Sequence, residues 1–198
     1  MEDTPLSLIE RLTAKGQSED WSRLSAMYRP LLVNWVRPLV PQDSDVEDVV
    51  QETLLVVVAK VGEFRHAGIP GSFRSWLRAI MAIKVRAFWR AQGRVPVASD
   101  PMGQLLTELE HDDSSTARRW DVEHDRHVID ALLERIRPEF APMTWRAFEL
   151  YTMRGMSPTE VAACLGMTAN AVFIARSRIL NRLRVESRGL VRLDAELA

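Results

Sequence analysis

Residues 155–184, GMSPTEVAACLGMTANAVFIARSRILNRLR, contain two helix starts separated by one tight stop. Ser157 and Glu160 have the spacing of a capping box, and Pro158 stands at the first helical position, where its missing N–H costs nothing. A helix from Pro158 can run only to Leu165, because Gly166 provides the positive φ of a sharp turn and Thr168 offers a hydroxyl to cap the next helix. Val161, Ala162 and Leu165 on the first helix meet Val172 and Ile179 on the second at helical spacing. A side chain larger than Ala162 would wedge the pair apart. The outer side of the second helix shows Arg176, Arg178, Arg182 and Arg184, with no carboxylate before Glu186. This is the layout of a helix-turn-helix, whose second helix enters the major groove of DNA. An ordinary αα-corner with a solvated arginine face has the same parts. The coincidence of turn glycine, small alanine and apolar positions argues against it.

Immediately upstream, residues 122–136 and 143–153 read as amphipathic helices separated by Pro138 and Pro142. Ile129, Leu132, Leu133, Ile136, Trp145, Phe148 and Leu150 form the core on which the helix-turn-helix rests. Between residues 95 and 117 the periodicity fades around Pro96, Asp100, Pro101 and Gly103, which predicts an acidic, flexible linker between two helical lobes. Before it, Ser72 caps a helix to about Gln92, with Phe73, Trp76, Leu77, Ile80 and Phe88 as its buried stripe and Arg74, Arg78, Arg86, Trp89 and Arg90 largely outside. Residues 73–98 add Lys84 and Arg94 to these arginines and hold no Asp or Glu. Basic residues interleaved with aromatics suit a surface that tracks phosphates and stacks bases. Aromatics in a core with arginines in water are the alternative.

Residues 62–71 read as a loop by their glycines and proline. Ser44 and Glu47 make a second capping box, and Val46, Val49, Val50, Leu54, Val57, Val58 and Val61 follow a helical period behind it. At the start of the chain, Thr4 and Pro5 open a short helix through Leu8, Ile9 and Leu12. Ser18 caps a longer one through Trp21, Leu24, Tyr28, Leu31, Leu32 and Trp35, bent at Pro30.

A chain of 198 residues, 46% hydrophobic, suits one or two compact domains. Its net charge of −1 excludes a general polycation, so any nucleic-acid binding must come from locally segregated charge. Acidic residues collect at 43–52 and 108–113, away from the basic stretch. The lone Cys164 excludes an internal disulfide and reads as a packed thiol in a reducing compartment. An acidic start without a basic-then-apolar plan, and an apolar run confined to 54–59, give a cytoplasmic expectation with no membrane insertion.

Two constellations invite a catalytic reading. His111, Asp112, Asp113, His124 and His127 suggest a metal-dependent hydrolase, but the histidines fall outside the H-E-x-x-H pattern. Asp43, Asp45, Glu47, Asp48 and Glu52 suggest paired carboxylates. Asp45, Asp48 and Glu52, however, share one helical face beside the valine stripe, as an exposed protein-docking face does. With no phosphate loop, Ser/His/Asp or Cys/His arrangement, neither an enzyme nor a cofactor is expected.

Three stretches, DVEDVVQETLLVV (45–57), GSFRSWLRAI (71–80) and SPTEVAACLGMTANAVFIARSRILNRLR (157–184), resemble the extracytoplasmic-function sigma factors of bacterial RNA polymerase, which keep only sigma regions 2 and 4. The resemblance implies an all-α chain. Region 2 spans residues 1–94, an acidic linker 95–117, region 4 residues 118–188 and a tail 189–198. It implies that Asp45, Asp48, Gln51 and Glu52 dock the polymerase clamp, and that Phe64, Arg65, Phe73, Arg74, Trp76 and Arg78 meet the minus-10 element. It implies further that Thr168, Asn170, Phe173, Ile174, Arg176, Ser177, Arg178 and Arg182 meet the minus-35 element. The implied partners are the clamp and flap of core RNA polymerase and promoter DNA, and the resemblance also admits an anti-sigma protein. Two departures stand out: Ile83 and Ala87 replace the Asn and Asp common in region 2, and Phe173 and Ala175 replace the common Lys and Arg of the recognition helix. A free-standing helix-turn-helix repressor or activator is the rival reading.

Overall fold

The computed structural model describes residues 8–13, 16–64, 72–94, 96–97, 99–191 and 193. Among them the chain is all-α, with helices α1 (Leu8–Thr13), α2 (Ser18–Val36), α3 (Asp43–Lys60), α4 (Ser72–Ala91), α5 (Pro101–Glu110), α6 (Ser115–Ile136), α7 (Pro142–Phe148), α8 (Pro158–Leu165) and α9 (Ala169–Ser187). The expected helix opening at Thr4 and Pro5 and most of the 62–71 loop lie outside the described residues.

α2 begins at the expected cap, Ser18, so its N-cap falls one residue earlier. Gln17 takes the N-cap position, and the Asp20 carboxylate accepts its backbone N–H while also accepting from Arg11 Nε at 2.9 Å. The helix continues through Pro30, whose ring stands exposed. α3 likewise starts early, with Gln42 as N-cap and no side-chain cap bond. Glu47, expected in a capping box, pairs instead with Arg29 of α2. The valine stripe is buried as read, except that Val58 turns outward.

One apolar core runs from α1 to α9, and α6 is its spine. The first half of α6 lays Trp120, His124 and Val128 against α2 and α4, while its second half lays Leu132, Leu133 and Ile136 against Ile179, Leu180 and Leu183 of α9. Two leucines of α5, Leu106 and Leu109, are fully buried. The segment expected to lack regular structure therefore holds a ten-residue helix seated between α4 and α6.

The helix-turn-helix forms as its caps dictate. Ser157 Oγ accepts from Glu160 N and Glu160 Oε2 accepts from Ser157 N at 2.8 Å, closing the capping box. Gly166 takes φ 63°, with open space where a Cβ would stand, so backbone conformation rather than packing requires glycine there. Thr168 Oγ1 accepts from Ala171 N at 3.1 Å and starts α9. The chain bends by 103° between α8 and α9, the right-angle crossing of DNA-binding helix pairs. Ala147, Leu150, Val161, Val172 and Ala175 form the small core of the unit. Cys164 is exposed on α8, not packed as expected.

Candidate polymerase and nucleic-acid interfaces

The acidic side of α3 comes first along the chain. Asp48, Gln51 and Glu52 are exposed, and Asp45 is half-exposed. Glu52 reaches Lys84 of α4 at 3.1 Å, whereas Asp45 and Asp48 make no ion pair among the described residues. Unneutralised carboxylates on one helical face leave a negative field open to a cationic partner. Next to them, Leu55 is 58% exposed and Val58 41%. These two line a groove between α2 and α3 with Trp21, Ala26, Gln51 and Leu54. Sequence reasoning missed this apolar strip because it counted Val58 inside the buried stripe. Leu55 and Val58, three apart on the face away from Val50, Leu54 and Val57, were the available signal.

The residues read as a minus-10 surface are only partly brought together. Phe64 and Trp76 are half-buried and form an aromatic cluster with Phe73, with ring centroids 5.0 to 5.6 Å apart. Arg65 lies outside the described residues. Phe73 is fully buried in the core and offers DNA nothing. Arg78, expected outside the stripe, is 2% exposed. Its Nε donates to Leu109 O at 2.8 Å and its Nη1 to Asp121 Oδ1 at 3.0 Å, while Nη2 pairs with Asp112. Arg74 Nε stands 3.0 Å from Asp121 Oδ2, and Nη1 pairs with Asp125. Asp121 thus bridges the two guanidiniums with one oxygen each. Burial raises its carboxyl pKa, and the attraction of Arg74 and Arg78 offsets only part of that. The acidic 108–125 stretch therefore lies on the basic helix, and α4 keeps Arg90 exposed near exposed Ile83, with Arg94 exposed just past the helix end.

The candidate metal ligands are dispersed. His124 is buried, with Nδ1 2.9 Å from Asp125 Oδ1 and Nε2 3.2 Å from Tyr28 Oη. His127 Nε2 donates to Met27 O at 2.6 Å, and His111 is exposed. Among the described residues, no three His, Cys, Asp or Glu side chains converge on a point.

On α9, Asn170, Phe173, Ile174, Ser177 and Arg178 are all exposed, Phe173 and Ile174 at 49% each, on the side away from the core residues Val172, Ala175 and Ile179. Arg176 is half-buried, its guanidinium 5.9 Å above the Tyr151 ring. Arg182 departs from expectation. Its Nε and Nη2 bind both oxygens of Glu139 at 2.6 and 2.9 Å, and Nη1 meets Glu186 at 2.6 Å. Burial would raise the Glu186 pKa, but Arg182 and Arg135 hold it below the usual carboxylate value. Arg182 therefore fastens α9 to the turn after α6 and is engaged within the chain.

No single helix among the described residues is long and apolar enough to cross a membrane. A family model described as Sigma-70 region 2 matches residues 24–95, from within α2 to just past α4. The chain is 27% identical over 191 residues to the ECF RNA polymerase sigma factor ShbA of Streptomyces griseus, covering 92% of this chain and 95% of that protein. It is 28% identical over 179 residues to the RNA polymerase sigma-E factor of Streptomyces avermitilis, covering 89% of this chain and 91% of that protein. With the SigE sigma factor of Mycolicibacterium smegmatis the identity is 24%, over 90% of this chain and 64% of that protein. Together with a helix-turn-helix at one end of the α6 spine and the region 2 helices at the other, these matches make the chain similar over about nine-tenths of its length to the extracytoplasmic-function sigma factors, alternative sigma factors that direct transcription initiation.

Proposed function

We propose that the chain works in the cytoplasm as a two-ended adaptor, with α3 docking the polymerase clamp and α9 reading the minus-35 element. Region 2 runs to about residue 94 and region 4 from about 118, with α6 shared between them in the free chain. The observation that carries this reading is the pairing, on one chain, of a bare acidic face with an exposed helix-turn-helix. Asp48, Gln51 and Glu52 attract a basic partner helix, while Leu55 and Val58 supply the apolar contact that charge alone does not give. On α9, Asn170, Phe173, Ile174, Ser177 and Arg178 face the groove, and Thr168 caps the helix end that enters it. Arg182 and Arg78 are left out of the DNA surface because their donors are already engaged. A repressor would need the helix-turn-helix alone. The α3 face gives no service to such a protein.

Replacing Asp48 and Glu52 by Lys reverses the field without touching a buried contact. Pull-down with core polymerase is expected to lose most of the captured protein at unchanged helicity, and run-off transcription is expected to fall in proportion. Capture equal to wild type would remove the docking assignment.

A further inference from the structure

Phe173 and Ile174, both half-exposed, are the largest apolar side chains on the outer face of the helix-turn-helix. A phenylalanine with two free torsions would sweep a wide arc at that position, yet the Phe173 ring is met by Tyr151. The two centroids are 5.6 Å apart and the planes stand at 90°, the edge-to-face arrangement that aromatic quadrupoles favour. Tyr151 comes from the π-helical turn Glu149–Met153 that follows α7. The residue added by such a turn re-aims the side chains it carries, and these turns are frequent at functional sites. Tyr151 is itself fixed from behind. Its ring packs against the core of Ala147, Leu150, Val161, Val172 and Ala175, and the Arg176 guanidinium lies over it at 5.9 Å. A continuous path of contacts therefore runs from the core through Tyr151 to the ring on the groove-facing side of α9. Of the arginines on α9, Arg176 lies over Tyr151 and Arg182 is bound to Glu139 and Glu186, while Arg178 stands exposed more than a turn beyond Phe173. The central turn of the recognition helix is thus apolar where cationic side chains are common.

We propose that Tyr151 is a positioning residue for base readout, holding Phe173 so that α9 recognises thymine in the minus-35 element through its C5-methyl group. The proposal rests on the reading of α9 as the minus-35 helix. Only thymine presents a methyl group in the major groove, and an apolar side chain is the partner that discriminates it. Without Tyr151, Phe173 still reaches the groove but its ring is no longer held against one base.

The test uses holoenzyme reconstituted from core polymerase and full-length protein on a promoter selected from a library, with each minus-35 thymine replaced in turn by deoxyuridine. Wild type is expected to lose about four-fold in affinity at one or two thymines, the equivalent of one buried methyl group. Phe173→Ala is expected to bring that ratio to one. Tyr151→Leu, with Tyr151→Met as a second variant, is expected to shrink the ratio at the same thymines, whereas Tyr151→Phe keeps it. A full ratio in both Tyr151→Leu and Tyr151→Met, with loss in Phe173→Ala, overturns the role of Tyr151 and leaves the α9 reading standing. No thymine effect in wild type, with base preference still altered by Arg178→Ala, overturns the methyl readout. Indifference of every variant, Arg178→Ala included, to the minus-35 sequence defeats the α9 reading itself.

Discussion

His124 is closed in by groups from three helices: Tyr28 of α2, Arg74 of α4, and Asp121 and Asp125 of α6. A carboxylate only accepts, so Nδ1 carries the proton toward Asp125 and Nε2 accepts from the Tyr28 hydroxyl. Burial pushes the imidazole pKa below its ordinary value, and the hydrogen bond and charge of Asp125 recover only part of the drop. In the unfolded chain a histidine titrates near about pH 6.5. Below that pH the unfolded state binds a proton that the folded state resists, so His124 supports the fold fully above about 6.5 and loses that support as pH falls toward its folded value. The loss is at most about 1.4 kcal/mol per pH unit. His124→Gln is expected to be less stable than wild type at pH 7.5, yet to show a flatter decline between pH 7.5 and 5.5 in urea unfolding midpoints. An unchanged slope would mean that another group carries the acid sensitivity.

α5 gives the sharpest element-scale test, because a backbone approach sets its position. A Cβ on Gly103 would stand 1.9 Å from the carbonyl oxygen of Val97, and that atom belongs to main chain that cannot swing aside. The approach is held by Asp100, which caps α5 through Gly103 N at 2.6 Å and also accepts from Val97 N at 3.1 Å. Gly103→Ala is expected to lift α5 from α4 and destabilise the protein by about 1 to 3 kcal/mol. The lost protection should appear by hydrogen exchange in residues 101–110 and not in α8. This helix was within reach of the sequence. Asp100 and Pro101 are an N-cap followed by a first-position proline, and Met102, Leu105, Leu106 and Leu109 recur at helical spacing. Proline and glycine are also loop residues, but here the proline takes the first helical position and the glycine admits the close approach of Val97. The helix-turn-helix, in contrast, was readable almost to the residue, since its caps, turn glycine and apolar pairs all lie within a few positions of one another. Arg78 was not readable. The helical period of α4 fixes its direction, but the partners that make that direction an interior one, Leu109, Asp112 and Asp121, lie 31 to 43 residues further on. The same holds for Arg182 and Glu139, which are 43 apart.

At the scale of the whole molecule, the acidic stretch of α5 and α6 sits against the basic helix α4. Asp112, Asp121 and Asp125 occupy Arg74 and Arg78, and Glu110 takes Arg86 at 2.9 Å. Carboxylates here hold the guanidiniums that phosphates would otherwise take, and each guanidinium so held is lost to the counterion release that drives DNA binding. The free protein is therefore expected to bind promoter DNA weakly, and far better once core polymerase is present. Replacing Asp112 and Asp121 by Asn preserves side-chain size while removing both carboxylate charges paired with Arg78 and one of the two paired with Arg74, Asp125 being the other. In the absence of core polymerase this double variant is expected to bind a single-stranded minus-10 oligonucleotide more tightly than wild type, with a steeper salt dependence. If both arginines reach phosphates, the slope of log affinity against log salt steepens by about 1.4, twice the single-strand value per phosphate. Fluorescence anisotropy across a salt series measures both quantities, with circular dichroism to establish that the helices remain. If affinity and slope both match wild type while helicity is intact, Arg74 and Arg78 serve only to fasten α4 to α6. The proposed minus-10 surface would then move to the exposed end of α4, where Arg90 lies, and to Arg94 just beyond it.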